Sequence, residues 1–444
     1  MKPALILHYA KILVLAACVA PSIREGAAEQ VKFDVEMSHP VLKADGKQKT
    51  YLKITLTGFE VERKKDRTPA NIAMVIDKSG SMTGSKIEKC KEAARLAIDM
   101  LDPNDIVSVV AYDSTVSVLV PATKISDRSA VIDGINRLAP GGQTALFAGV
   151  SKGAAEVRKF LDKNHINRIV LLSDGLANEG PSSPSDLGSL GASLAKEGIS
   201  VTTLGLGADY NEDLMTQLAG KSDGDHAFIE TPQDLARIFK MEFDAILSIV
   251  AQEVMVKVTC AEGVRPLRAL GPEAEFAGNS VTVDFNLMYS GHEEYILLEL
   301  EVPAKASGTA LEVAKVEVTY NNLVTEARAR LSQTATVAFS DSIKLIAARA
   351  NSRVLVAVAA RTAVLKNEEA TELRDSGKVR EARQLLIGNA AYLSRKSKEF
   401  DSKFLDEMMK ANLKDAESLS PEKWRIRRKM MRDRQHRIYL GPRF

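Results

Sequence analysis

Asp77, Ser79 and Ser81 stand at alternate positions in the run Asp77-Lys78-Ser79-Gly80-Ser81. The apolar stretch 72–76 precedes them, and a segment with helical periodicity follows. One carboxylate and two hydroxyls where a buried strand ends are hard oxygen donors aimed at one point. That is the chemistry of a site for a hard divalent cation such as Mg²⁺. Thr144, after Gly141-Gly142-Gln143, and Asp174, in Ser173-Asp174-Gly175, lie far along the chain but fall where such a site needs its remaining ligands.

The elements around these residues give the reason. Between about 71 and 239, apolar runs at 72–76, 106–112, 168–172, 199–206 and 226–229 alternate with segments of helical periodicity. Runs such as Ile169-Val170-Leu171-Leu172 are apolar on both faces, as parallel strands between two helical layers must be. The pattern predicts an α/β domain with a doubly wound, mainly parallel, Rossmann-like sheet, and residues 116–120 as a short antiparallel edge partner of the strand at 106–112. Ligands of such sheets bind at the carboxyl ends of the strands, where Asp77 and Asp174 stand.

These residues carry a resemblance. Asp77-x-Ser79-x-Ser81, then Thr144, then Asp174 match the five ligand positions of the metal-ion-dependent adhesion site (MIDAS) of von Willebrand factor type A (VWA) domains. The resemblance covers about 71–243 and implies that Ser79, Ser81 and Thr144 hold Mg²⁺ (or Mn²⁺ or Ca²⁺) through hydroxyls. Asp77 and Asp174 then act mostly through water and the serines. It further implies an open coordination position filled by an Asp or Glu of a protein ligand, and a last domain helix whose shifts alter the metal loops. The whole arrangement resembles bacterial secreted VWA proteins of the calcium-activated chloride channel accessory and inter-alpha-trypsin inhibitor heavy chain type.

Two other motifs point elsewhere and fail on spacing. Gly80-Ser81-Met82-Thr83-Gly84-Ser85-Lys86 sits between strand and helix as a phosphate loop would, but three residues separate its glycines instead of four, and Ser precedes Lys. Gly205-Leu206-Gly207 lacks the third glycine of a dinucleotide fingerprint. No Gly-x-Ser-x-Gly elbow occurs, and the six histidines show no metal-ligand spacing, so neither a serine hydrolase nor a zinc enzyme is expected. Asp113 reads as a strand-end cap or as a residue that tunes the loop beside the site, and Asp209, Glu212 and Asp213 as the acidic start of a helix.

Outside the α/β region the periodicity changes. Alternating strands at 31–37 and 51–56, and again at 254–259, 281–285, 295–301 and 313–319, predict one β-sandwich built from both flanks, because two strands alone make no stable sheet. The expected organisation is a signal peptide at 1–28, sandwich strands at 29–66, the VWA domain at 67–245, the rest of the sandwich at 246–337, a helical hairpin at 338–415 broken at Gly377, and a basic tail at 416–444.

Lys2 and Lys11, an apolar run at 12–20 and the small residues Gly26-Ala27-Ala28 read as an export signal; Leu15-Ala16-Ala17-Cys18 offers lipid attachment at Cys18 as the alternative. The apolar run is too short to span a bilayer, so no transmembrane segment is expected in the mature chain. Cys90 and Cys260 read as small buried thiols. The net charge of +2 gives no reason to expect nucleic-acid binding, yet residues 421–444 carry nine Lys/Arg against two acids. That tail reads first as a solvated terminus, and otherwise suits an acidic surface or an anionic membrane. The functional expectation is an exported, non-enzymatic adhesion module binding a protein carboxylate through the metal. The alternative is a non-catalytic subunit of a metal-insertion or chaperone-like assembly with an ATPase partner.

Overall fold

The computed structural model describes residues 30–61, 67–271 and 274–439. The export signal and Cys18 lie outside the described residues. The chain begins with β1 (Lys32–Met37), β2 (Val41–Lys43) and β3 (Gln48–Thr57). It then enters the α/β domain: β4 (Ala70–Asp77), α1 (Ser85–Met100), β5 (Ile106–Tyr112), β6 (Val116–Lys124), α2 (Arg128–Asn136), α3 (Leu146–Val157), β7 (Ile166–Ser173), α4 (Pro184–Lys196), β8 (Ser200–Leu206), α5 (Glu212–Lys221), β9 (His226–Ile229) and α6 (Leu235–Ile246). Seven strands follow: β10 (Ile249–Cys260), β11 (Arg265–Ala269), β12 (Glu275–Ala277), β13 (Ser280–Tyr289), β14 (Glu293–Val302), β15 (Ala310–Asn322) and β16 (Ala327–Ser340). The chain closes with α7 (Ile343–Arg349), α8 (Ser352–Asp375), α9 (Val379–Phe400), α10 (Lys403–Glu417) and α11 (Pro421–Tyr439).

The central sheet runs β6-β5-β4-β7-β8-β9, parallel throughout except for the antiparallel edge strand β6. All eight residues of β4 and of β7 are buried, which is why 72–76 and 169–172 read as continuous apolar runs. From β4 the chain crosses to β5, and from β7 it crosses the opposite way to β8. The crevice between the ends of β4 and β7 is therefore the switch point of the sheet, where a ligand site is built. The apolar sides of α1, α2 and α6 cover one face, and those of α3, α4 and α5 cover the other.

Both flanks contribute to a two-sheet sandwich, ordered β1-β3-β14-β11 and β12-β13-β10-β15-β16-β2. β3 pairs with β14 over ten residues from opposite sides of the inserted domain, and β2 pairs in parallel with the end of β16. The sequence pattern does not predict β16. Its polar sequence buries only Ala335, Val337 and Phe339 at alternate positions near its end, too short an apolar signal to stand out. Ile249, Tyr289 and Leu323 of the sandwich region join the same core as α1 and α6, and two residues separate α6 from β10.

The C-terminal region departs from the expected hairpin and tail. α8 and α9 form the hairpin, with Gly377 between them at φ +81°, and α10 adds a third long helix. Residues 421–439 are not a solvated tail. They form α11, with Trp424, Lys429, Met431 and Gln435 buried. Charged residues interrupt its few apolar positions, so periodicity alone misreads a helix whose basic residues find acids on the same chain. Arg428 bonds Glu212 and Asp213 at 2.6 Å each and Asp375 at 2.8 Å, Lys429 pairs with Glu212, and Arg425 with Asp209. α11 also blunts the exposed edge of the central sheet: the amides of His226 and Phe228 donate to His436 Nε2 and Asp433 Oδ1.

Candidate metal centre

Asp77 is the last residue of β4. Its Oδ1 accepts the Ser79 amide at 2.8 Å and its Oδ2 accepts the Ser173 hydroxyl at 2.6 Å. The first bond bends the chain tightly after the strand, so that Ser79 and Ser81 return over the sheet end. Ser79 Oγ lies 3.1 Å from Ser81 Oγ, and Ser81 donates to Asp174 Oδ1 at 2.7 Å. Asp77 and Asp174 are fully buried, Ser79 and Thr144 nearly so, and Ser81 faces solvent.

Gly175 locates the point of convergence. A methyl group on its α-carbon would lie 3.3 Å from Ser81 Oγ, 3.3 Å from Thr144 Oγ1 and 3.9 Å from Ser79 Oγ. Three hydroxyl oxygens from two distant loops thus surround one small volume, which remains clear because residue 175 has no side chain. All five residues expected from the sequence meet here.

The loops are held by backbone bonds. Gly141 donates to Lys78 O at 2.7 Å, Gly80 to Gly142 O at 3.1 Å, and Ala145 to Asp113 O at 2.9 Å. Asp113 does more than cap its strand. Burial works against its charge, but the Lys78 ammonium and the donors of Thr115 outweigh it and hold the carboxyl below its ordinary range. α3 comes close above β5, since a side chain at Gly149 would press on the Tyr112 ring at 2.8 Å.

Residues that the sequence pattern does not single out complete the site. Ser173 anchors Asp77, Asn178 anchors Thr144 through its amide, and Lys86 pairs with Asp174 Oδ2. Lys86 carries a local signal: it is the second residue of α1, where a cation opposes the helix dipole unless an acid faces it. The phosphate-loop reading of the same stretch finds its lysine already engaged.

The donor set fits a hard cation. Among the described residues no group of three or more His, Cys, Asp or Glu side chains is placed to hold a metal ion, so a metal here has to be held with hydroxyls. The hydroxyl trio supplies neutral oxygens and the two buried acids supply charge behind them. Burial pushes the Asp77 carboxyl above its ordinary range, opposed by the Ser173 and Ser79 bonds and reinforced by the Asp174 charge. Two buried acids near one another are what a divalent cation suits.

Residues 71–240 match the family model of the von Willebrand factor type A domain. An uncharacterized protein of Synechocystis sp. is 27% identical over 266 residues, 58% of this chain and 62% of that one. The human inter-alpha-trypsin inhibitor heavy chain H2 is 26% identical over 200 residues, 43% of this chain and 21% of that one. The chain thus spans less than two thirds of the length of either relative. Among solved structures, a von Willebrand factor type A protein from Catenulispora acidiphila superimposes with a TM-score of 0.71 over 89% of this chain and 91% of its own, at 16% identity. The ArnB paralog VWA2 from Sulfolobus acidocaldarius does so with a TM-score of 0.60 over 93% and 99%, at 15% identity. Identities this low bear on the fold alone, and the fold they share extends beyond the α/β domain to most of the chain.

Proposed function

For a chain that carries a von Willebrand factor type A domain at residues 71–240, we propose a role as a metal-dependent protein-binding module. Domains of this family are generally protein-interaction modules and often metal-dependent. Mg²⁺ is the proposed ion, held by Ser79, Ser81 and Thr144, with Asp77 and Asp174 behind them. The observation that carries this reading is the gathering of three hydroxyl oxygens around the side-chain-free Gly175, backed by two buried carboxylates. When bound, the cation supplies positive charge that neutral hydroxyls leave poorly compensated. An Asp or Glu of a partner protein is the ligand that suits it.

Both carboxylates have their oxygens engaged by Ser79, Ser173, Ser81 and Lys86, which suits holding an ion rather than moving a proton. We therefore read the site as non-catalytic. Export, by cleavage near residue 28 or with a lipid on Cys18, belongs to the same proposal. Among the described residues no helix is long and apolar enough to cross a membrane.

The test is capture of partners from the envelope of the source cell in Mg²⁺ and in chelator, with wild type, Asp77→Ala and Thr144→Ala. The expected result is a protein retained by wild type only with Mg²⁺ and lost in both variants, whose circular dichroism matches wild type. Capture indifferent to chelator and to both substitutions would overturn the reading.

A further inference from the structure

The salt bridge between Lys86 and Asp174 places a fixed positive charge inside the proposed metal centre. Asp174 is fully buried, and its second oxygen already accepts the Ser81 hydroxyl at 2.7 Å. Lys86 is supplied by the second residue of α1, so its backbone is held by the helix. Its side chain is about a quarter exposed, whereas that of Asp174 is fully buried.

The formal charges then add up in a particular way. Asp77 and Asp174 bring two negative charges, and Lys86 cancels one of them. Lys78 and Asp113 form their own pair beside the site and cancel each other. A divalent cation would turn the remaining single negative charge into a single positive one. Beside the nearly buried Ser79 and Thr144 such a charge is screened less than in open water. One incoming carboxylate makes the sum neutral.

We infer that Lys86 couples the two ligands of this centre: it weakens binding of the cation by itself and makes the cation and a partner carboxylate bind together. This rests on the metal reading above and adds to it that the affinities of cation and carboxylate are coupled, each raising the other by the same factor. Without Lys86, the two acids alone would balance a divalent ion, and the carboxylate would gain little. The lysine is therefore a specificity device. It keeps the site from filling and staying filled where no acidic partner is present.

The experiment measures Mn²⁺ binding by electron paramagnetic resonance, using the full chain, with and without acetate as the carboxylate probe. Wild type is expected to bind Mn²⁺ weakly alone and several-fold more tightly with acetate. Lys86→Met and Lys86→Gln are expected to bind Mn²⁺ alone roughly tenfold more tightly, with the acetate gain reduced toward none. Lys86→Arg, which keeps the charge, is expected to resemble wild type. Circular dichroism of each variant shows whether it is folded, and two neutral replacements guard against one that is not. If folded Lys86→Met or Lys86→Gln binds Mn²⁺ no more tightly than wild type, the role of Lys86 is overturned while the metal site stands. If wild type binds no Mn²⁺ at all, or binds it unchanged after Ser79→Ala and Thr144→Ala, the metal reading fails and this inference with it.

Discussion

Thr144 and Asn178 bond each other twice: the Thr144 amide donates to Asn178 Oδ1 at 2.8 Å, and the Asn178 amide donates to Thr144 O at 3.2 Å. This reciprocal pair ties the loop that opens α3 to the loop that follows β7. It fixes Thr144 relative to Asp174, which stands in that second loop. Asn178→Ala removes the side-chain half. Since Asn178 is exposed, we expect a stability loss of about 1 kcal/mol or less in urea unfolding. Mn²⁺ affinity should nevertheless fall several-fold, because the hydroxyl of Thr144 loses its position. Unchanged affinity would show that the Gly141-Gly142 loop holds Thr144 unaided.

Gly175→Ala is the most selective probe of the convergence point. The added methyl group would meet the Ser81 and Thr144 hydroxyls at 3.3 Å, tight contacts with side chains at the mouth of the site. The expected outcome is loss of metal binding with a melting temperature close to wild type. Metal binding at wild-type strength in this variant would mean that the cation sits elsewhere than among these hydroxyls.

Arg428 joins three parts of the fold, through Glu212 and Asp213 of α5 and Asp375 of α8. Glu212 is nearly buried and also holds Lys429, so removing Arg428 leaves acids clustered at the junction. Arg428→Ala is expected to cost about 2–4 kcal/mol. Faster amide exchange should appear at His226 and Phe228, whose N–H groups α11 covers. An ion pair at the open surface would instead cost under about 1 kcal/mol, and a loss that small would place α11 as a loosely attached element.

His226 gives the fold a pH dependence. Burial, then electrostatic interactions with His436, Lys429 and Arg437, lower its pKa to about 3. Its ring nitrogens lie 2.9 Å from the Thr203 hydroxyl and 3.3 Å from that of Tyr210. In the unfolded chain a histidine titrates near 6.5, the ordinary value of about 6.5 for a solvated imidazole. The folded state therefore binds fewer protons between about pH 6.5 and 3. The stability held by neutral His226 is present above that window and lost as pH falls through it. The slope reaches about 1.4 kcal/mol per pH unit. In urea unfolding at neutral and then mildly acidic pH, the advantage of wild type over His226→Gln should shrink by that slope. A constant difference between the two proteins would show that this imidazole does not titrate on unfolding.

Much of the centre is legible in the sequence. The middle of a strand buried on both faces is apolar, so the ends of β4 and β7 are marked where Asp77 and Ser173-Asp174 interrupt the runs at 72–76 and 169–172. Those ends are also where a doubly wound sheet exposes its switch point. The partners of these residues are less legible. Ser173, Asn178 and Lys86 belong to common residue types whose neighbours in space are remote in sequence. Only Lys86 carries a local anomaly, a cation in the first turn of a helix.

The C-terminal segment shows the limit most clearly. By itself the sequence determined that residues 421–444 are strongly basic and want acids. Charge composition reports a long-range preference and no address, so an external surface and an internal one read alike. Only the tertiary structure decided that the acids include Asp209, Glu212, Asp213, Asp375 and Asp415 of the same chain. Those of α5 and α8 come together because these two helices, far apart in sequence, both pack against α11. The same division holds at the candidate metal centre. Residue type and strand-end position determined which oxygens were available, whereas their convergence on Gly175 depended on loop crossings that no local pattern encodes.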